Sequence, residues 1–259
     1  GGEPASRFME RIDAEEGAQR LATFRRQRLK GDFCFKFELA HKPRRGRTIT
    51  YEGIMWGSWN ELGPISRIRV FSARTKDGET LDSSQEVELI IQNGVSPQAW
   101  IRRDNGGGFA LIEGEALFDP IMPGMLYSPF HLQMPFVYWE DFIYEGPTLV
   151  GVSRVAQQFL MQPPAKSASA KRGISAVRVG LDDTYNSLWR IEVVNTESEV
   201  LSRFAVESFK KVQEQYIVKR ITLTDYTSRD RTTFEVKAVA LGISITRNLF
   251  CPQRAHSVV

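Results

Sequence analysis

Residues 120–147 have the sequence PIMPGMLYSPFHLQMPFVYWEDFIYEGP, and their composition differs from that of the chain on either side. The stretch holds five of the twelve prolines, three of the six methionines and seven aromatic residues, but no lysine or arginine. Because each proline removes a backbone donor and restricts the residue before it, the stretch is neither one long helix nor a central strand. We expect short helical turns and loops that lie against an apolar surface.

The best helical candidate inside this stretch is residues 136–144, where Phe136, Trp139 and Phe142 fall at helical spacing. Two interpretations of the stretch stay open. It is either a plug that completes a hydrophobic core, or a movable lid over an apolar cavity. Methionines suit the second interpretation because their flexible side chains adapt to irregular partners.

Outside this stretch the apolar residues mostly alternate with a period of two. Phe33, Phe35, Phe37 and Leu39 form one aromatic face of a first strand. Similar patterns predict strands at residues 188–195 and 200–212, one long strand at 148–162, and a hairpin turn at Asn93-Gly94. In total we predict about eleven consecutive strands between residues 30 and 250, joined mostly by short turns.

So many antiparallel strands must curl, split or close, because twist accumulates and free edges invite aggregation. A barrel or half-barrel is therefore expected, with its apolar face covered by the two parts of the chain that are not strands. These parts are a helix predicted at residues 4–29 and a lid segment at 115–147. We interpret residues 1–259 as a single domain, with strands at 30–114 and 148–250.

Charge and cysteine content narrow the range of functions. The net charge of +3 is too near balance to indicate a nucleic-acid partner. Cys34 and Cys251 are the two cysteines, which rules out a disulfide-dense scaffold and a multi-cysteine metal cluster. One disulfide and two free thiols both remain open.

No pattern in the sequence indicates an enzyme. The three histidines lack metal-ligand spacing, a GxSxG motif is missing, and the neighbouring acids Asp182 and Asp183 are typical of a solvated turn. His131 is either a polar group facing a cavity or an ordinary partly buried imidazole. We therefore expect no catalytic residues, no metal and no cofactor.

The chain also lacks an apolar run long enough for a transmembrane helix. The first residues, GGEPASRF, lack the apolar core of a signal peptide. We expect that a signal peptide was removed before this numbering begins.

Several segments together resemble the outer-membrane lipoprotein-sorting proteins of the LolA-like family. They are WEDFIYEGP at residues 139–147, IEVVNTESEVLSRFAVESF at 191–209 and IVKRITLTDYTSRDRTTFEV at 217–236, and the resemblance extends over residues 19–250. It implies a mainly β fold, an unclosed β-barrel with helices as a lid. It also implies a non-enzymatic periplasmic carrier whose hydrophobic cavity holds the acyl chains of lipoproteins or other lipids.

The resemblance leaves an alternative, an envelope protein-binding or lipid-sensing module like the RseB-like relatives, with a filled core. Transport proteins of the inner or outer membrane are the further partners that it implies, and no nucleic acid is expected. From the strand phases we predict that the cavity is lined by Phe33, Phe35, Phe37, Tyr51, Ile68, Val70, Leu89 and Ile91. We predict that its cover consists of Leu126, Phe130, Phe136, Trp139 and Phe142.

Overall fold

A computed structural model describes residues 11–75, 86–103 and 107–253. These residues form helices α1 (Ala14–Arg26), α2 (Pro129–Gln133) and α3 (Ala168–Lys171). The strands are β1 (Asp32–Lys42), β2 (Ile49–Asn60), β3 (Gly63–Thr75), β4 (Val87–Gln92), β5 (Gln98–Arg102), β6 (Ala110–Leu111), β7 (Phe142–Val150), β8 (Arg154–Met161), β9 (Ile174–Asp182), β10 (Leu188–Asn195), β11 (Val200–Val212), β12 (Gln215–Asp225) and β13 (Arg231–Ile243).

The strands form one antiparallel sheet in the order β6-β5-β4-β3-β2-β1-β13-β12-β11-β10-β9-β8-β7. In the described chain β6 and β7 are the two ends of this order, so the sheet is open. The predicted mainly β fold is confirmed, and the described residues form thirteen strands instead of about eleven. One extra strand arises because the predicted strand at residues 148–162 is a hairpin, which turns at Gly151 with φ +65°.

The chain divides into two compact units. Unit 1 consists of Gly1–Arg28 and Phe136–Val206, and unit 2 consists of Leu29–Pro135 and Glu207–Val259. Strand β11 therefore contributes its first half to unit 1 and its second half to unit 2. The single-domain interpretation of residues 1–259 stays a prediction.

In unit 1, helix α1 packs against β7 and β8 through Gly17, which lies beside Tyr144 and Phe159. The side chain of Asp13 caps the helix by accepting from the backbone N–H of Glu16. Gly17 allows close packing, because a Cβ there would lie 3.3 Å from the ring of Tyr144. The predicted helix at 4–29 was too long, since residues 11–13 are not helical and the helix ends at Arg26; residues 4–10 lie outside the described chain.

The predicted helix at residues 136–144 is wrong. The chain makes a 3-10 turn at Pro135–Tyr138, and β7 begins at Phe142, which pairs with Met161 of β8. The sheet provides a hydrogen-bonding partner for this segment, and that pairing outweighs the helical spacing of its aromatic residues. The lid segment predicted at 115–147 therefore ends in a strand.

Both cysteines are free thiols. Burial raises the pKa of the Cys34 thiol above its usual value, which keeps this side chain in its neutral form. The Sγ of Cys251 lies 3.3 Å from the Oε1 of Gln253. Of the two alternatives left open by the sequence, the structure has the free thiols.

Candidate functional site

The strand register of unit 2 gathers the predicted lining residues on one side of the sheet. Directly opposite residues of an antiparallel pair point to the same face. Phe35 lies opposite Met55, Met55 opposite Ile68, and Ile68 opposite Leu89, so this row of four shares a face. The same alternation includes the rest of the predicted set, namely Phe33, Phe37, Tyr51, Val70 and Ile91. We call this side the apolar face.

One part of the apolar face is fully covered. Ile68, Val70, Leu89 and Ile91 are at most 2% exposed. Helix α2 contacts β4 and β5 and contributes the buried side chain of Phe130. The segment before it contributes the buried side chains of Ile121, Met122 and Met125. We call these four strand residues, together with residues 112–135 above them, the plugged region.

Polar bonds fasten the covering segment to the sheet. The hydroxyl of Tyr51 donates to the carbonyl of Pro123 at 2.8 Å, and the backbone N–H of Leu126 donates to the hydroxyl of Thr232 at 3.1 Å. The side-chain amide of Asn93 donates to the carbonyl oxygens of Leu132 at 3.1 Å and Gln133 at 2.6 Å. These bonds satisfy backbone groups that the irregular segment cannot pair internally.

A capping box starts helix α2. The imidazole of His131 and the hydroxyl of Ser128 are 2.9 Å apart at Nδ1 and Oγ, and the backbone N–H of Ser128 donates to the same Nδ1 at 3.2 Å. Because the ring is removed from water, the pKa of His131 is lowered to about 4. His131 is therefore neutral at pH 7, and its observed contacts match the ordinary-imidazole interpretation.

Another part of the apolar face is covered only in part. Phe35, Ile217, Val236 and Leu241 form a buried cluster where β1, β12 and β13 meet. Six apolar side chains pack against this cluster and keep some contact with solvent. We call these six residues the open strip; they are Leu29, Phe33, Met55, Val212, Phe234 and Val239.

Two glycines of β2 give the open strip a flat floor. A Cβ at Gly57 would lie 2.0 Å from the ring of Phe33, and a Cβ at Gly53 would lie 2.2 Å from the ring of Phe37. Both aromatic rings therefore lie flat on the backbone of β2, at positions where any other residue would lift them. Phe33 also stacks on Phe35, with ring centroids 4.5 Å apart.

The predicted cover residues do not form one group. Leu126 and Phe130 belong to the covering segment of unit 2, whereas Phe136, Trp139 and Phe142 belong to unit 1. In unit 1, Arg25 of helix α1 donates to the carbonyl oxygens of Val137 at 2.6 Å and Trp139 at 2.9 Å. No sequence pattern indicated this division, because all five residues look alike as apolar side chains in a proline-rich stretch.

Sequence reasoning also missed the polar residues that hold the segment. Asn93 was interpreted only as a hairpin residue, although its side chain binds two carbonyl oxygens of α2. His41 was considered only as a possible metal ligand, yet its Nδ1 lies 2.8 Å from the hydroxyl of Thr232, and burial lowers the pKa of His41. One feature of the sequence could have indicated these bonds. A polar residue at the end of a strand that is predicted to be buried needs a hydrogen-bonding partner.

The described chain contains neither a cluster of metal-ligating side chains nor a helix that could span a membrane. Within residues 11–75, 86–103 and 107–253, no three His, Cys, Asp or Glu side chains come together in a way that could hold a metal ion. Nor does any helix in these ranges have the length and apolar character needed to cross a membrane.

Comparisons with known proteins identify the fold. No protein-family model and no curated protein matches the chain. Among solved structures, a DUF1329 family protein from Desulfovibrio piger matches with a TM-score of 0.75 at 10% identity, covering 92% of this chain and 97% of the other. A domain described as an outer membrane lipoprotein-sorting protein from Vibrio parahaemolyticus matches with a TM-score of 0.73 at 12% identity, covering 91% and 94%.

A LolA superfamily protein from Nitrosomonas europaea matches with a TM-score of 0.64 at 10% identity, covering 93% of this chain and 99% of the other. Each of the three comparisons extends over nearly the full length of both chains, so the shared part is the whole fold and not a single motif. At these identities the similarity concerns the fold alone. The chain has the LolA-like fold.

Proposed function

We propose that this chain is a non-enzymatic carrier in the periplasm that binds the acyl chains of lipoproteins or other lipids on the apolar face of unit 2. The observation that carries the proposal is the open strip. Its six side chains are apolar, partly exposed and packed against one buried cluster, whereas the plugged region is closed by residues 112–135. Apolar side chains that are grouped together and reach solvent are typical of a binding site.

The energetics suit reversible binding. Each buried methylene contributes about 0.8 kcal/mol, so an acyl chain of which about ten methylenes are buried gains on the order of 8 kcal/mol before the entropy of association is subtracted. In the described chain the side chains of the open strip already contact solvent, so a ligand can reach them while residues 112–135 stay in place. A carrier needs this combination, because it must release its ligand.

The fold supports the same proposal at a coarser level. Two of the similar structures carry descriptions of lipoprotein sorting or of the LolA superfamily. Lipoprotein cargo, a periplasmic location and membrane transport partners come to this chain by that resemblance, and the open strip is the feature of its own that agrees with them.

The test is binding of amphiphiles by the purified protein. Native mass spectrometry detects lipid that copurifies, and displacement of a fluorescent fatty acid gives the Kd. We expect Phe33→Ser to weaken binding roughly tenfold, because a partly exposed aromatic ring of the open strip is lost. Phe71→Ser is the matched control, since Phe71 is partly buried on the opposite face of β3, where it lies opposite Glu52.

Two outcomes would overturn the carrier proposal. In the first, the protein binds neither the fatty acid nor copurified lipid. In the second, Phe33→Ser and Phe71→Ser weaken binding equally, which would indicate a general loss of stability rather than loss of a site.

A second candidate function is a protein-binding module of the envelope with a filled core. The plugged region favours it, because Ile68, Val70, Leu89 and Ile91 have no room for a ligand while residues 112–135 stay in place. Failure of amphiphile binding, together with an unchanged fold of the Phe33→Ser variant, would support this candidate.

A further inference from the structure

We propose that unit 1 docks on the surface of a lipid bilayer through the tips of two adjacent hairpins, the β7–β8 turn and the β9–β10 turn. The side chains that carry the proposal are Leu149, Val152 and Tyr185, which we call the tip patch. They are 47%, 101% and 67% exposed, respectively. All three residues belong to unit 1, and the proposal goes beyond the proposed carrier function.

The β7–β8 turn is unusually apolar for an exposed tip. Residues 148–153 are Thr-Leu-Val-Gly-Val-Ser and contain no charged side chain. Gly151 turns the chain with φ +65°, and a Cβ there would meet no atom within 4 Å, so the tip protrudes into open space. Exposed turns are usually polar, because an aliphatic side chain in water gains nothing from folding.

The two turns are held side by side. The backbone N–H of Asp183 donates to the carbonyl of Val155 at 2.8 Å, and Ala156 of β8 pairs with Asp182 of β9. Tyr185 therefore stands on the turn next to Val152 at the same end of these strands. An aliphatic tip beside a tyrosine is the combination found at membrane interfaces, where the phenol stays at the level of the headgroups.

The charges beside the tip patch do not oppose contact with an anionic headgroup layer. Arg154 follows the turn directly, and its side chain is 54% exposed. The two nearby carboxylates are already paired, Asp182 with Arg154 at 3.0 Å and Asp183 with Arg20 at 2.6 Å. Neither acid therefore presents an unpaired negative charge to an anionic surface.

A second copy of the chain is a less suitable partner for this end of unit 1 than a bilayer. Strand addition along β7 would need its free backbone edge, but Arg11 donates to the carbonyl oxygens of Glu145 at 3.0 Å and Tyr144 at 3.2 Å. Pro147 lacks an N–H, and the register shifts between Tyr144 and Gly146. These features protect an edge strand from pairing, so strand addition of a second copy along β7 is disfavoured.

The test is co-sedimentation of the full chain with vesicles of phosphatidylethanolamine and phosphatidylglycerol. We expect the wild-type protein to bind and Val152→Asp to lower the partition coefficient roughly tenfold, since a charge replaces the side chain at the tip. Ile143→Asp is the matched control. Ile143 lies at the other end of β7 and is 51% exposed, and this variant should bind like the wild type.

Fatty-acid displacement by Val152→Asp should match that of the wild type, which separates the tip patch from the carrier site. If Val152→Asp fails to fold, Val152→Ser replaces it, with a smaller expected loss. The proposal is overturned if the wild type does not sediment with vesicles, or if Ile143→Asp and Val152→Asp lose binding equally. It is also overturned if sedimentation velocity shows a dimer that Val152→Asp dissociates.

Discussion

The plugged region and the open strip lie on the same face of one set of strands, yet they differ in what covers them. In the plugged region, residues 112–135 bury Ile68 and Leu89 almost completely. In the open strip, Phe33 and Met55 keep contact with solvent, although they continue the same rows of apolar side chains. The strands themselves are equally apolar in both regions, so the difference comes from the covering segment.

One apolar face is therefore part of the core in the plugged region and partly exposed to solvent in the open strip. Where the chain supplies prolines, methionines and polar anchors such as Asn93 and Tyr51, the face becomes core. Where residues 112–135 do not reach, the side chains of the face keep some contact with solvent. The variants below test whether the two regions differ as strongly in stability and binding as they do in exposure.

We expect the largest loss of stability from a substitution in the plugged region. Phe130→Ala removes a ring that is 3% exposed and lies 4.9 Å from the ring of Phe118, so we expect a loss of about 3–5 kcal/mol in the free energy of unfolding. Urea unfolding measures it, with the partly exposed Leu132→Ala on the same helix as control. Little loss of stability combined with tighter fatty-acid binding would instead identify the segment as a lid.

The next effect is on the pH dependence of stability. The pKa of His131 is about 4 in the folded chain, below its ordinary value of 6.5, so the unfolded state binds the proton more tightly. This contribution is absent above pH 6.5 and destabilises the fold as the pH falls from about 6.5 to about 4, by about 3 kcal/mol in total.

Urea unfolding of wild type and His131→Asn at pH 7 and pH 4 isolates this histidine from His41, whose pKa is lowered as well. The variant should lose less stability than the wild type between these two pH values. Equal losses in both proteins would contradict the burial of His131 in the plugged region.

A smaller effect is expected at the floor of the open strip. In Gly57→Ala the new Cβ would lie 2.0 Å from the ring of Phe33, so the ring must move. We expect a loss of about 1–3 kcal/mol in stability, and weaker fatty-acid binding because the flat floor is lost. Gly108→Ala serves as control, since a Cβ there meets no atom within 4 Å. Unchanged binding by Gly57→Ala would separate the floor from the ligand site.

The smallest effect concerns one anchor of the covering segment. Tyr51→Phe removes the hydroxyl that donates to the carbonyl of Pro123 and keeps the ring in place. We expect a loss of about 1 kcal/mol in the free energy of unfolding, the usual contribution of one hydrogen bond. Thermal unfolding followed by circular dichroism measures it. A loss several times larger would mean that the anchor holds the whole segment rather than one turn of it.

Part of this fold was predictable because strand periodicity is a local signal. The alternation placed β10 at residues 188–195 and β11 at residues 200–212, the bounds that the structure has. The same signal failed at residues 148–162, because Gly151 continues the apolar pattern while turning the chain. A different local signal, helical spacing, failed at residues 136–144, because this range ends in β7, which pairs with β8 from Phe142 onward.

For the candidate site, the sequence indicated a common face but not how it is covered. Phe33 and Phe37 share a face because a period of two is enough to place them within one strand. Leu89 joins them on that face through the register of the strands between β1 and β4. Whether each of them is covered depends on the path of residues 112–135, which is fixed by bonds such as the one from Asn93 to Gln133, forty residues apart. No local pattern encodes a contact of that separation.

The sequence by itself determined the class of this protein, a mainly β chain with one proline- and methionine-rich interruption, because alternation and proline act within a few residues. Only the tertiary structure decided that this interruption plugs one part of the apolar face and leaves the open strip uncovered. The physical reason is that covering depends on long-range packing and on polar anchors, which stabilise a segment only after distant strands have come together.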